Sequence, residues 1–142
     1  MRIRGFARRD LPAVMEIWLE TNISAHAFIP RAYWEGMYVP VEEALPQAEV
    51  YVAEDESGEL LGFIGLEGGD VAGLFVKETA QSRGIGGRLL DHAKESKAGL
   101  RLHVYQKNVR AARFYRREGF SAQSEGVDAQ TGEKEWVMAW HR

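Results

Sequence analysis

The segment from Val71 to Tyr105 constrains the fold most, because it has the pattern of a strand, a glycine-rich loop, a helix and a second strand. Val71–Val76 is short and apolar, and Leu100–Tyr105 alternates apolar with polar residues, as a half-buried strand does. Between them, leucines and an alanine at helical spacing predict a helix from Gly86 to about Lys97. Two strands joined by a helical crossover of this length lie parallel in one sheet. The pattern therefore predicts an α/β domain with a βαβ unit.

The other predicted elements surround this unit. They are an edge strand at Met1–Phe6, a helix at Leu11–Asn22, strands at Val50–Glu54 and Leu60–Leu66, a helix at Val109–Glu118, and strands near Phe120–Val127 and Glu135–Trp140. Asp10 is expected to cap the first helix through its carboxylate. The three prolines in Ile23–Pro46 favour a broken or short helix with loops. Since strands joined by short turns pair antiparallel, we expect a mixed, mainly antiparallel sheet of about six to seven strands with flanking helices and one parallel pair.

Composition narrows the class of protein. The 142 residues, 45% hydrophobic and 27% charged, fit a single globular domain covering residues 1–142. No apolar stretch is long enough to cross a membrane and no export signal is recognisable, so a cytoplasmic protein with no membrane partner is expected. The net charge of -3 argues against nucleic acid as a partner. The absence of cysteine excludes disulfides, thiolate metal sites and a cysteine nucleophile.

The glycine-rich loop from Gln81 to Gly87 is a candidate anion site. Glycines let a ligand approach the backbone, and the following helix begins with unpaired N–H groups and the positive end of its dipole. A P-loop requires a Gly-Lys-Ser/Thr triplet, which the chain lacks, and a dinucleotide fingerprint requires glycine where Leu89 stands. The loop therefore suits a phosphate or diphosphate outside those two classes, and a merely flexible turn is the alternative.

Two blocks of sequence carry a family resemblance. The first is Gln81-x-x-Gly84-x-Gly86, which follows Leu74-Phe75-Val76. The second is Asn108, Ala111, Phe114-Tyr115 and Gly119-Phe120 after a strand. In this order and spacing they resemble the GNAT superfamily of N-acetyltransferases, in particular its small single-domain bacterial-type members. The likeness extends over the whole chain, although the first 48 residues match only in outline.

The resemblance implies an enzyme that moves an acetyl group from acetyl-CoA directly to a primary amine in a ternary complex, without a metal. The acceptor is a small-molecule amine, a protein lysine or a protein N-terminus, and the enzyme is a monomer or a homodimer. The alternative is a non-catalytic module that binds acyl-CoA or another partner. The residues implied in binding acetyl-CoA are Leu74, Phe75, Val76, Gln81, Ser82, Arg83, Gly84, Ile85, Gly86, Gly87 and Asn108.

Tyr115 and His103 are the implied catalytic residues. A phenol, with an ordinary pKa of about 10, is protonated at neutral pH and can protonate the departing thiolate of CoA. Helical spacing alone favours a place for Tyr115 in the core, and the family resemblance favours the catalytic role instead. At position 103 many relatives have a glutamate that helps to remove the amine proton. A neutral imidazole can do the same work, so His103 is a candidate base, with a structural histidine as the alternative.

The acceptor site is expected near His26, Phe28 and Trp34, where relatives place the helix connection that faces the substrate. His26 either orients the acceptor, acts as base, or is a buried histidine held by the backbone. Glu67 and Asp128 are weaker candidates for contact with a cationic amine. The arginines of the last predicted helix are interpreted as a solvated face, with the 3′-phosphate of CoA as an alternative contact; they are Arg110, Arg113, Arg116 and Arg117.

Overall fold

Seven strands form one sheet in the order β1-β2-β3-β4-β5-β7-β6 in the computed structural model, which describes residues 1–142. The strands are β1 (Arg2–Gly5), β2 (Glu49–Glu54), β3 (Leu60–Glu67), β4 (Asp70–Val76), β5 (Gly99–Tyr105), β6 (Ser121–Val127) and β7 (Lys134–His141). All neighbours pair antiparallel except β4 and β5, which are parallel. The predicted mixed sheet, its βαβ unit and the edge strand at the N-terminus are confirmed.

Four helices cover the sheet: α1 (Leu11–Ala25), α2 (Arg31–Ala44), α3 (Ile85–Glu95) and α4 (Val109–Arg117). Helices α3 and α4 bury one face with a core that includes Leu89, Leu90 and Met138. Helices α1 and α2 form a second core on the other face around Val14, Met15 and Val52. Packing on both faces explains why β3 is apolar at nearly every position. None of the helices combines the length and apolar character that crossing a membrane requires.

The prediction of a broken helix between residues 23 and 46 is wrong, because α2 is one helix of 14 residues. Pro30 stands just before its first turn, where a proline is tolerated. Pro40 lies inside the helix and is exposed. The carbonyl that its missing N–H would have bonded belongs to Gly36, which is also exposed and has open space where a side chain would be. Water can therefore satisfy that carbonyl, and the ring meets little obstruction.

The expected capping role of Asp10 is also wrong. Its carboxylate makes no bond to the first turn of α1. Instead it pairs with the guanidinium of Arg4 at 2.8 Å and accepts the backbone N–H of Ala7 at 2.7 Å. Asp10 closes a short 3₁₀ turn that precedes α1, so its side chain points back toward β1 rather than along the new helix. The pair thus joins the edge strand to the start of α1.

The only parallel pair of the sheet opens soon after it begins. Asp70 and Arg101 are the single aligned pair between β4 and β5. On its other edge β4 stays paired with β3, but the register shifts between Gly73 and Val71, so that Ala72 is an extra residue in β4. A bulge bends its strand and increases the local twist. The bulge and the loss of pairing together separate the carboxyl ends of β4 and β5.

Candidate active site

A cleft of about 1130 Å³ occupies the space between the diverging strands. Its walls come from the second half of β4, the end of β5, the loop before α3, one side of α4 and the C-terminal end of α1. The two blocks of sequence that carry the family resemblance, the glycine loop and α4, therefore line the same cleft. In the divergent region the edge of β4 that faces β5 has no strand partner, which leaves its backbone groups available to a ligand.

The glycine-rich loop forms one end of the cleft. Gly84 has φ of +79° just before α3, a conformation that suits glycine. Ser82 has φ of +65°, which is unusual for a residue with a side chain. Gly86 packs so closely on α4 that an added Cβ would lie 3.3 Å from the ring of Phe114. The glycines thus allow a tight turn, close packing against α4, and access to the unpaired N–H groups in the first turn of α3.

Arg110 holds this loop from α4. Its guanidinium donates to Gln81 Oε1 at 2.7 Å and to Ser82 Oγ at 3.1 Å. Gln81 in turn donates from Nε2 to the carbonyl of Val76 at 2.9 Å. The chain of bonds connects the end of β4, the loop and α4. Arg110 therefore has a structural partner, which corrects its interpretation as part of a purely solvated face.

Tyr115 lies on α4 beneath the cleft and is 8% exposed. Its ring packs edge-on against Phe114 and Phe120, in the core shared with α3. Burial raises the pKa of the phenol, because the charged phenolate would lose its hydration. The two alternatives for Tyr115 are thus compatible: the ring belongs to the core, and the residue contributes to the lining of the cleft.

Asn108 caps α4 and also binds His26. Its Oδ1 accepts the backbone N–H of Ala111 at 3.2 Å, which leaves Nδ2 to donate to His26 Nε2 at 3.1 Å. An amide nitrogen only donates, so His26 Nε2 is the unprotonated nitrogen and Nδ1 carries the hydrogen. Nδ1 is buried without a partner. Burial lowers the pKa of His26 from its usual 6.5 to about 4, so the ring is neutral at pH 7.

Aromatic rings surround His26 where the C-terminal end of α1 reaches the cleft. Trp34 stacks on it at a centroid distance of 5.4 Å, and Tyr105 and Phe28 contact it edge-on. Trp34 lines the cleft, whereas Phe28 contacts His26 but is not part of the lining. The contacts among these rings could not be predicted from sequence, because the residues come from the α1–α2 connection, α2 and β5.

Two carboxylates of the β6–β7 hairpin lie near these rings: Glu135 lines the cleft, and Asp128 contacts Tyr105 from outside the lining. Asp128 accepts the hydroxyl of Tyr105 at 2.6 Å. Burial tends to raise the pKa of Asp128, but hydrogen bonds from Tyr105 and the backbone of Gln130 outweigh it, so the pKa falls below its usual range. Glu135 Oε1 lies 3.5 Å from His103 Nδ1. Burial raises the pKa of Glu135, the neighbouring imidazole opposes this, and the charge of Asp128 adds to it.

The structure brings most of the predicted site residues to the cleft. Its lining includes Leu74, Phe75, Val76, Gln81, Ser82, Gly84, Ile85, Gly86, Gly87, His103, Asn108, Tyr115, His26 and Trp34. Arg83 belongs to the loop but is exposed and outside this lining, and Glu67 lies at the opposite end of β4. Glu135 lines the cleft although nothing in its local sequence singles it out. What places Glu135 at the cleft is its pairing with Tyr105 across β5 and β7, and that register is known only from the folded sheet.

Similarity to known proteins agrees with this architecture. Residues 46–122 match the model of the acetyltransferase (GNAT) domain family. The chain is 39% identical over 140 residues to the peptidyl-lysine N-acetyltransferase YiaC of Escherichia coli strain K12, covering 97% of this chain and 95% of that protein. It is 30% identical over 120 residues to the peptidyl-lysine N-acetyltransferase YjaB of Salmonella typhimurium, with 84% and 83% covered.

Solved structures show the same fold. The solution structure of apo YjaB from Escherichia coli superposes with a TM-score of 0.87 at 26% identity, covering 98% of this chain and 96% of that one. PaiA N-acetyltransferase from Thermoplasma acidophilum, crystallised in complex with coenzyme A, gives a TM-score of 0.81 at 20% identity, with 99% and 98% covered. Together with the diverging β4 and β5 and the glycine loop, these similarities show that the chain belongs to the GNAT family and is an acetyl-CoA-dependent N-acetyltransferase.

Proposed function

We propose that this enzyme acetylates the ε-amino group of lysine in peptides or proteins, by direct transfer from acetyl-CoA. The observation that carries the proposal is the two-ended cleft. One end is built from backbone N–H groups and glycines, and the other from aromatic rings and the carboxylate of Glu135, with Asp128 bonded to Tyr105 outside the lining. YiaC and YjaB, which the chain resembles, are both peptidyl-lysine N-acetyltransferases.

The glycine end fits the diphosphate of CoA. Phosphate oxygens accept from unpaired N–H groups at a helix start, and Gly86 and Gly87 leave that approach open. The free edge of β4 at Leu74–Val76 offers backbone donors and acceptors to the amide groups of the pantetheine arm. A backbone N–H on this edge is also the natural donor to the oxyanion that forms when the amine attacks the thioester carbonyl.

Tyr115 supplies the proton that the thiolate needs. As the carbon–sulfur bond breaks, negative charge moves to sulfur, and protonation from a phenol removes that charge. The raised pKa keeps the phenol in its acidic form at neutral pH. Asn108 lies about two turns before Tyr115, at the N-terminus of the same helix, and joins the acceptor wall to α4 through His26.

The opposite end of the cleft fits a lysine side chain. Its methylene stem packs well on aromatic rings such as Trp34 and Tyr105, while its ammonium is attracted to carboxylates. Asp128 and Glu135 supply that charge on the hairpin side. A small-molecule amine or a protein N-terminus presents the same nucleophile, so those acceptors form the comparison set for the test.

The absence of cysteine favours transfer without a covalent enzyme intermediate. It also simplifies the assay, because thiol reagents then report released CoA alone. We expect wild-type enzyme to release CoA with lysine peptides whose α-amine is blocked, and mass spectrometry to find the acetyl group on the ε-nitrogen. Initial-rate plots for the two substrates should intersect, as they do for a ternary complex.

Three results would contradict the proposal. Acetylation confined to free α-amines or to small amines would move the acceptor to those classes. Parallel initial-rate plots would indicate ping-pong transfer through an acetyl-enzyme. Binding of acetyl-CoA without CoA release for any amine would favour the non-catalytic alternative.

A further inference from the structure

His103 and Glu135 form a pair at the acceptor end that the family resemblance does not supply. His103 projects from β5 and Glu135 from β7, and both line the cleft. Glu135 Oε1 lies 3.5 Å from His103 Nδ1. The imidazole side chain is 54% exposed and the carboxylate 17%. The more buried carboxylate thus lies beside one ring nitrogen, while Nε2 makes no contact of this kind.

We propose that Glu135 is a positioning residue that orients His103 and stabilises its imidazolium form, so that Nε2 of His103 takes the proton from the acceptor ammonium. The inference rests on the proposed acetylation of lysine. A carboxylate beside Nδ1 favours the tautomer with hydrogen on that nitrogen and leaves Nε2 as the base. Once Nε2 is protonated, the same carboxylate balances the new positive charge.

Other groups at the cleft are less suited to this work. Nε2 of His26 is occupied by the amide of Asn108, and its ring is held neutral by burial. Glu78, near the mouth, accepts a hydrogen bond from Ser24 at 3.0 Å. Glu118 lies by the glycine loop, where a Cβ on Gly87 would be 3.4 Å from its carboxylate, at the CoA end of the cleft.

Asp128 is the remaining carboxylate, and its bonds make it a weaker base. It accepts from the Tyr105 hydroxyl and from the backbone N–H of Gln130. Hydrogen bonds of this kind stabilise the ionised form and oppose proton uptake. Asp128 therefore contributes negative charge to the site, and the transfer of the proton falls to His103.

The proton and electron balance closes without another reactant. His103 Nε2 takes one proton from the ammonium, and the freed nitrogen lone pair forms the carbon–nitrogen bond. The carbon–sulfur bond breaks, its electron pair goes to sulfur, and Tyr115 protonates the thiolate. The second proton lost by the nitrogen restores Tyr115 through solvent, and His103 releases its own proton to water. The products are the amide, CoA thiol and one proton.

The charged and titratable groups around the pair come from three elements. Arg101 and Tyr105 lie on the same face of β5 as His103, and Asp128 stands in the β6–β7 turn. Tyr33 of α2 is close enough for the charges of Asp128 and Glu135 to raise its pKa, after the larger effect of burial. Replacing Glu135 also removes its charge from the surroundings of Tyr33 and Asp128, so the pair itself is identified by the limb that His103→Gln removes.

The test compares Glu135→Gln with His103→Gln and with Glu125→Gln as the matched control. Glu125 is on the same hairpin but lies opposite Trp136, one residue out of phase with Glu135, so its side chain occupies the other face of the sheet. With acetyl-CoA and a blocked lysine peptide, we expect Glu135→Gln to lower kcat by about 10- to 100-fold, part of the usual contribution of a general base. CoA affinity, measured by calorimetry, should stay within about twofold of wild type in all three variants.

The pH profile separates positioning from simple loss of charge. The acid limb of kcat/KM should vanish in His103→Gln. In Glu135→Gln the limb should differ from that of wild type, because the carboxylate that lies 3.5 Å from His103 Nδ1 is gone. The control should keep the limb of the wild type. An unchanged limb and kcat in Glu135→Gln, with wild-type acetylation intact, would overturn the inference and leave the proposed function standing.

An activity-independent measurement makes the same distinction. The chain has four histidines, so the imidazole signals can be resolved by NMR and His103 assigned from its loss in His103→Gln. The His103 signals should change position in Glu135→Gln and stay in place in Glu125→Gln. Identical His103 signals in wild type and Glu135→Gln would overturn the pairing. Lack of lysine acetylation by wild type, with changed His103 signals, would overturn the catalytic role while the contact remains.

Discussion

Burial keeps the phenol of Tyr115 protonated through the neutral pH range. Its ring lies in the core between Phe114 and Phe120, where the phenolate would lose its hydration. No carboxylate or cation is needed to set this state. At the scale of a single residue, the environment that places the ring in the core therefore also suits the proposed acid role.

The variant Tyr115→Phe tests that role with little change in packing. It keeps the ring and removes only the hydroxyl, so we expect kcat to fall by about 10²- to 10⁴-fold. The Kd of CoA and the midpoint of thermal unfolding should stay close to those of wild type. Rates and affinity are measured by CoA release and calorimetry. A variant that unfolds, or one that keeps wild-type kcat, would contradict an acid role.

Between elements, the loop before α3 depends on α4 for its shape. Ser82 adopts a positive φ that costs energy, and the bonds from Arg110 to Gln81 and Ser82 offset part of that cost. The loop is therefore held in place before any ligand arrives. Preorganisation of this kind increases affinity, because less conformational entropy is lost on binding.

Replacing Arg110 with Ala should weaken binding of acetyl-CoA rather than unfold the protein. Arg110 is exposed, so we expect a loss of about 1 kcal/mol, which is about a fivefold increase in Kd. Arg113→Ala, one turn further along α4 and also exposed, is the matched control for charge. Calorimetry with CoA measures both. Equal Kd values for the two variants would show that the guanidinium acts only through its charge.

Across the whole molecule, one hydrogen bond connects the helical layers on the two faces of the sheet. His26 ends α1, Asn108 begins α4, and their side chains meet beside the opening between β4 and β5. Because the ring is buried among aromatics and its Nδ1 has no acceptor, protonation there is unfavourable. The junction is stable only while His26 is neutral.

This makes stability depend on pH in a defined window. The pKa of His26 is about 4 when folded and 6.5 when unfolded, so the unfolded chain takes up a proton first as the pH falls. Stability is complete above pH 6.5 and is lost progressively toward pH 4, by about 1 to 2 kcal/mol between pH 7 and pH 5. Urea unfolding should show a smaller decline in His26→Gln and an unchanged one in His141→Gln, an exposed control. Identical declines in His26→Gln and wild type would contradict this account.

The local sequence pattern was sufficient to predict the helices and strands that are specified by their own residues. Strand alternation in β5, the stripe of α3 and the asparagine that begins α4 specify those elements regardless of their surroundings. The order of the βαβ unit also constrained the parallel pair, since such crossovers have one geometry. The glycine loop was also recognised from its own residues, and the family resemblance then implied roles for it and for Tyr115.

Prolines misled the interpretation of α2 because their effect depends on exposure. At Pro40, the unpaired carbonyl belongs to Gly36, one turn earlier, and both residues are exposed. The free-energy penalty of a proline inside a buried helix is therefore avoided. Asp10 misled for a related reason: Arg4, six residues away and on another element, competes for its carboxylate. A propensity describes one residue, while the outcome is set by its partners.

The amino-acid sequence by itself determined the order of elements, the parallel pair and the glycine loop of the cleft, because each is encoded in contiguous residues. Only the tertiary structure decided the end that we propose for the acceptor. There His26, Asn108, His103 and Glu135 come from four separate elements, and their contacts depend on sheet register and on the separation of β4 from β5. Burial, which sets the charge of each group, exists only once those elements are packed together.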